Sequence, residues 1–446
     1  MSRATHLACI FVLCAAGAQN VAIQSNVKEV LVPVVVTDRR GHHITGLKQS
    51  DFEVFEDDKA ERIVSFRVED AGSAPPSIDA SGPRGGAPGQ HSAAPNADAP
   101  RRTYLIIVDT LHSSFANFAG VREALRRFFE KEQSGDAQYA VFAIGRDIRV
   151  VQDSTRDPSA VLASVRNDRI AATILDSEAG NLAAEADRFT ALMRQYCSVC
   201  ACESTGQTSD RPECPAAKSK VQAYLTSFSE RTFVLNRRFL ADLAEMVKAS
   251  ATMPTSRTVI FISDGFNRFP GRELYAIMDG YSPRDRSFEF NTRDNQPDLD
   301  GVLQLATKNN VKFYTIDSRG VYTLASVPGS GFDASSSSAT PVQMDSRRSA
   351  NLAAGVPEAA ASKVSSAARE SADPLALLAR ETGGLFYENN NDLLKGLRQA
   401  VADGREYYVL AYAPDNAADD GTYRKIRIVV RNPKWRVNAK AGYWAK

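Results

Sequence analysis

The chain has 446 residues, 43% of them hydrophobic, which is enough to bury a large core and long enough for two or three domains. Lys and Arg number 54 against 53 Asp and Glu, a near balance that leaves no overall field to draw a polyanion. Nucleic acid and anionic membrane surfaces are therefore set aside as partners.

The first twenty residues, MSRATHLACIFVLCAAGAQN, place Arg3 and His6 before an apolar run from Leu7 to Ala16, with Ala16 and Ala18 in an A-x-A arrangement. This pattern predicts a secretory signal peptide over residues 1–18. The run is too short for a lasting anchor, and no later stretch approaches the length of a transmembrane helix. An exported protein, periplasmic or secreted and without an integral span, is expected. Cys9 and Cys14 leave with the signal, and Cys197, Cys200, Cys202 and Cys214 remain in one short stretch. An even count in an exported chain predicts two disulfides of open connectivity, with zinc as the alternative.

Residues 19–70 contain VKEVLVPVVVT and DFEVFEDDKAERIVSFRVED, where Val, Ile and Phe fall on alternate positions broken by Gly41 and Asp57-Asp58. They predict a small antiparallel β module. Residues 71–100 turn to Ala, Gly, Pro and Ser and read as a disordered linker. From 101 to 320, strands at 103–109, 138–145, 148–152, 257–263 and 311–317 alternate with helices at 117–132, 158–166, 217–249 and 298–309. Such alternation predicts a doubly wound, mostly parallel α/β sheet covered on both faces. The cysteines sit in a surface insertion at 187–216, and a low-complexity insertion follows at 321–372. Residues 373–404 return to the α/β pattern. Residues 405–446 are strand-rich: TYRKIRIVV and WRVNAKAGYWA read as a hairpin-like pair, and DNAADDG as a hairpin turn before it. These last strands are expected to pair with the N-terminal ones in a shared accessory module.

Two apolar strands each end in aspartate: YLIIVDTLHSS delivers Asp109 and TVIFISDGF delivers Asp264. Ligands of parallel α/β sheets bind beyond the carboxyl ends of the strands, so the pair points to a cation site. The competing reading is that each carboxylate caps the next helix or accepts loop amides. DNQPDLDG at 294–301 reads as capping rather than a calcium loop, because Gln296 and Thr307 stand at ligand positions. No G-x-S-x-G, H-E-x-x-H or phosphate-cradling loop occurs, so no enzyme activity is expected. His42 and His43 read as solvated turn residues.

The strand-Asp-loop-helix at 104–132, FISDGF, FYTIDSRG, LARETGGLFYENNNDL and the terminal YYVLAYAP and AKAGYW together resemble bacterial exported proteins with a von Willebrand factor type A domain. The resemblance implies a metal-ion-dependent adhesion site built from D-x-S-x-S, a later Thr and a later Asp. Its positions here are Asp109, Ser113, Thr173 and Asp264, and Leu111 stands where the first Ser belongs. Hydroxyl and carboxylate oxygens suit Mg2+ or Mn2+. The implied function is protein binding, with an acidic side chain of the partner completing the cation. The alternatives are a metal-free scaffold of the cell envelope and, behind both, a hydrolase using the cation to activate water.

Overall fold

The computed structural model describes residues 29–69, 102–132, 136–169, 179–200, 202, 211–253, 256–281, 288, 293–320, 369–416 and 418–445. The expected signal peptide at 1–18, the linker at 71–100, Thr173 and most of the insertion at 321–372 lie outside these residues.

The N-terminal strands are β1 (Val30–Thr37), β2 (Phe52–Glu56), β3 (Lys59–Glu61) and β4 (Ile63–Glu69). The α/β part follows as β5 (Arg102–Asp109), α1 (Phe115–Phe129), β6 (Ala137–Ile144), β7 (Ile148–Thr155) and α2 (Pro158–Arg166). Then come α3 (Ala179–Cys200), α4 (Cys214–Ala251), β8 (Ser256–Ser263), α5 (Arg272–Tyr281), α6 (Gln296–Lys308) and β9 (Lys312–Asp317). The described chain ends with α7 (Asp373–Thr382), β10 (Phe386–Tyr387), α8 (Leu393–Arg405), β11 (Tyr407–Tyr412), β12 (Tyr423–Val430), β13 (Arg436–Ala439) and β14 (Gly442–Trp444).

The central sheet has the order β10-β9-β8-β5-β6-β7 and is parallel except for β7, which runs antiparallel to β6. Every residue of β5 is buried, as expected of a strand covered on both faces. Because successive side chains point to opposite faces, Tyr104, Ile106 and Val108 pack with α1, α2 and α8. Leu105 and Ile107 pack on the other side with α4, α6 and α7. The chain leaves β5 for β6 on one side and later returns as β8 on the other. That reversal opens a crevice at the carboxyl end of β5.

The sequence-predicted strands and helices of this part are present, but two helices lie where none is predicted. In α3, Ala186, Phe189, Met193, Tyr196 and Cys200 are buried at helical spacing and share a separate apolar cluster with α4 and α5. The described part of the cysteine insertion is thus largely helical. Cys200–Cys214 ties the end of α3 to the start of α4, and Cys197–Cys202 closes the end of α3 on itself. In α5, Leu274, Ile277 and Met278 are buried at helical spacing, and Tyr275 and Ala276 between them are buried as well.

The chain ends form two antiparallel sheets, β13-β1-β11-β4 and β14-β12-β2-β3, sharing one apolar core. Val30 to Val34 of β1 pair with β11, while β4 pairs with the other edge of β11. The expected mixing of N- and C-terminal strands is therefore observed. The hairpin readings are corrected in detail. WRVNAKAGYWA divides into two strands, β13 against β1 and β14 against β12. DNAADDG crosses from one sheet to the other, because β11 and β12 do not pair.

His43 is not solvated. Its Nε2 lies 2.7 Å from Asp403 Oδ1 and its Nδ1 3.3 Å from Glu406 Oε2, fastening the accessory sheets to the end of α8.

Candidate functional site

Asp109 leaves β5 with no exposed surface and accepts hydrogen bonds on both oxygens. Oδ1 takes the backbone N–H of Leu111 at 2.9 Å and of His112 at 3.0 Å. Oδ2 takes His112 Nδ1 at 2.8 Å and Ser263 Oγ at 2.6 Å. The serine hydroxyl is oriented in turn by Gly265 N, which donates to it at 2.8 Å. Gly265 has φ +79°, and a Cβ there would lie 2.2 Å from Ser371 O, so only glycine fits this turn.

Asp264 follows β8 directly. Its Oδ2 accepts from Ser114 N at 2.9 Å and Asn117 Nδ2 at 2.7 Å, and its Oδ1 from Ser318 Oγ at 2.5 Å. The carboxylate thus binds the first turn of α1, where Ser114 is the N-cap. Burial pushes the Asp264 carboxyl up, and the bonds from Ser318, Ser114 and Asn117 work against that push. Ser113 Oγ accepts from Asp264 N at 3.1 Å. Asp109, Ser113 and Asp264 are therefore brought together at the crevice.

His112 lies between Asp109 and α4. Its Nε2 is 3.0 Å from Asn236 Oδ1, and its ring meets Phe239 edge-on at a 4.8 Å centroid distance. The orientation of Asn236 follows from its neighbours. Asn295 Nδ2 donates to Phe233 O and Asp298, so its Oδ1 faces Asn236 Nδ2, which also donates to Asn267 O. Asn236 then turns its acceptor oxygen to the imidazole. The two ring nitrogens thus face acceptor oxygens, Nδ1 that of Asp109 and Nε2 that of Asn236. Burial opposes a charge on the ring, but the Asp109 carboxylate and the two hydrogen bonds outweigh it and raise His112 above the ordinary imidazole range.

A magnesium-type cation needs oxygen ligands in near-octahedral array, and the described oxygens gathered here are already hydrogen-bonded within the chain. Leu111, at the first hydroxyl position, is buried in the apolar cluster with Phe239 and Phe266. The Asp109 oxygens are taken by two amides, a hydroxyl and the imidazole, so a cation on Oδ2 has to displace His112 or Ser263. Among the described residues no cluster of His, Cys, Asp or Glu is arranged to hold a metal.

Sequence reasoning found the aspartates and Ser113 but missed Asn236, Ser263 and Ser318. Asn236 had a signal: it sits three residues before Phe239 on the buried stripe of α4, where a polar side chain requires a partner. Ser263 and Ser318 each stand at a strand end beside an aspartate, a weaker sign.

A cleft of about 360 Å3 opens beside His112 between the crevice and the α3–α4 pair. Leu111, Phe228, Leu235 and Phe266 contribute apolar surface, and Arg146, Arg188 and Arg231 contribute guanidiniums.

Among the described residues no helix is long and apolar enough to cross a membrane. Neither protein-family models nor curated proteins match the chain. Among solved structures it is similar to the conserved hypothetical protein BatB from Bacteroides thetaiotaomicron, at 10% identity over 68% of this chain and 98% of that one, with a TM-score of 0.27. It is also similar to proximal thread matrix protein 1 from the mussel byssus, at 10% identity over 71% of this chain and 49% of that one, with a TM-score of 0.29. The fold assignment stands on strand order and register: a mostly parallel six-stranded sheet flanked by helices, with separate antiparallel sheets from the two chain ends.

Proposed function

We propose that this is an exported protein-binding module of the von Willebrand factor type A kind that works without a divalent cation. The observation that carries the reading is His112. It gives Asp109 a hydrogen-bonded neighbour supplied by the chain itself, and Asn236 holds the far side of its ring. Asp264 is likewise committed, to the amide of Ser114 and the side chains of Asn117 and Ser318. The site then serves as a rigid knot joining β5, β8, α1 and α4, with the crevice beside it left for a partner. Export is supported by the leader-like first 18 residues and by the two disulfides.

Isothermal titration of the whole mature chain with Mg2+ and Mn2+ tests this. No binding heat is expected, and EDTA should leave the melting temperature unchanged. Saturable binding of either ion that Asp109→Asn and Asp264→Asn both abolish would overturn the metal-free reading in favour of a working adhesion site.

A further inference from the structure

We infer that the outer edge of β4 pairs with the same edge of a second copy of the chain, antiparallel, so that two accessory sheets continue as one. The inference goes beyond the metal-free reading and does not depend on it. Strand β4 ends the sheet β13-β1-β11-β4, and among the described residues no strand pairs with its outer edge. Residues 65–69 run in unbroken register with β11, from Ser65 opposite Ala411 to Glu69 opposite Tyr407. The amides and carbonyls on the outer side of such a run are a template for one more strand. Val68 lies across from Tyr408, and Tyr408 across from Val34, so the three side chains share one face of the sheet. Val34 and Tyr408 are buried in the accessory core, yet Val68 is 48% exposed. The edge strand of the opposing sheet, β3, has only three residues to set against it. An apolar side chain from outside the chain completes that face.

The charges select the occupant. Arg67 and Glu69 flank Val68, are exposed on the opposite face, and have no ion-pair partner among the described residues. A two-fold axis at Val68 sets Val68 against Val68 of the second copy, and sets Arg67 against Glu69 of the second copy twice over. Opposite charges and apolar side chains directly across an antiparallel pair both stabilise it. An edge carrying charge of one sign would repel its own copy, whereas this edge is complementary to itself, as a two-fold interface requires. Strand β7 is another open edge with exposed apolar residues, Ile148 at 37% and Val150 at 55%. Its register with β6 shifts at two places, however, and such bulges twist an edge away from an added strand. The register shift of β4 with β11 lies at Ala411/Tyr412, outside residues 65–69.

Sedimentation velocity of the whole mature chain over a concentration series, in EDTA, should show a reversible monomer–dimer equilibrium. Arg67→Glu should raise the dimer dissociation constant about tenfold, because both cross-strand ion pairs become repulsions. Adding Glu69→Arg to that variant should restore the wild-type constant, since the exchanged charges pair again. Val68→Lys should abolish the dimer, and unchanged melting of each variant in dilute solution shows that the fold persists. Hydrogen exchange of the wild type checks the same edge without substitution: raising the concentration should slow the amides of residues 65–69 and leave those of residues 148–155 unchanged. A chain that stays monomeric at millimolar concentration, a dimer indifferent to Arg67→Glu and Val68→Lys, a charge exchange that fails to restore association, or protection at residues 148–155 in place of 65–69 would each overturn the inference.

Discussion

Replacing Asp109 by alanine separates a structural carboxylate from one poised for a cation, because the two predict opposite effects in metal-free buffer. Asp109 receives four hydrogen bonds, from the amides of Leu111 and His112, from His112 Nδ1 and from Ser263 Oγ. All four donors lose their acceptor at a position with 0% exposure. A buried donor left unmatched costs about 1–3 kcal/mol, and removing one member of a buried charge pair costs about 3–5 kcal/mol. The two figures overlap at His112, and rotation of the Ser263 hydroxyl recovers part. A net loss of about 3–5 kcal/mol follows, against a typical domain stability of about 5–15 kcal/mol. In urea, with a slope of about 3 kcal/mol/M, the midpoint falls by about 1 M or more. Urea unfolding of wild type and Asp109→Ala in EDTA measures it. If Asp109 instead waited for a cation, its removal would relieve repulsion with Asp264 and the midpoint would hold or rise. A midpoint within about 0.2 M of wild type therefore refutes the structural role.

Two further outcomes are expected. The Asp403 hydrogen bond raises His43 above the ordinary imidazole range, burial opposes it, and the Asp403 and Glu406 charges assist. A pKa raised by folding gives stability that is full below about pH 6.5 and disappears as pH climbs through the folded value. The stability gap between wild type and His43→Gln, measured by urea unfolding, should accordingly be widest near about pH 6, at about 1–3 kcal/mol, and shrink in alkali; a gap that stays constant over that range contradicts it. Deleting residues 407–446 strips β4 of its partner and β1 of both its partners. Limited proteolysis should then cut first within residues 29–69, and a protected 29–69 fragment would show that the N-terminal strands fold without the C-terminal ones.

The parts of the fold that were legible from sequence share one property: local pattern and tertiary environment agree. YLIIV and VIFI are apolar on both faces because they lie under helices on both faces, and their aspartates mark strand ends whatever the site does. Helix α5 carries Leu274, Ile277, Met278 and Tyr281 at helical spacing but is only ten residues long, and α3 runs into the cysteine-rich stretch read as a surface insertion. The break in WRVNAKAGYWA was not visible because both halves have strand composition, and what separates them is a change of sheet. At the site, residue types gave the carboxylates and Leu111 gave the warning. The decisive partner of Asp109 came from the next turn of its own loop, and the group that orients it came from α4, 124 residues away from His112. No spacing rule links those positions.

The interleaving of the chain ends sets an order of events for the newly made protein. Strand β11 lies between β1 and β4, and β13 flanks β1 on its other edge, so the earliest strands acquire these neighbours only after the final forty or so residues have emerged. Until then β1 carries an apolar, Val-rich face and two open hydrogen-bonding edges, a surface prone to pair with any other strand it meets. Such distant pairings also fold slowly. Delivery of the chain across a membrane in the unfolded state would postpone the hazard to the far side, where the α/β part can assemble first on its own core. The length of that interval is set by the topology, separate from anything the folded protein binds.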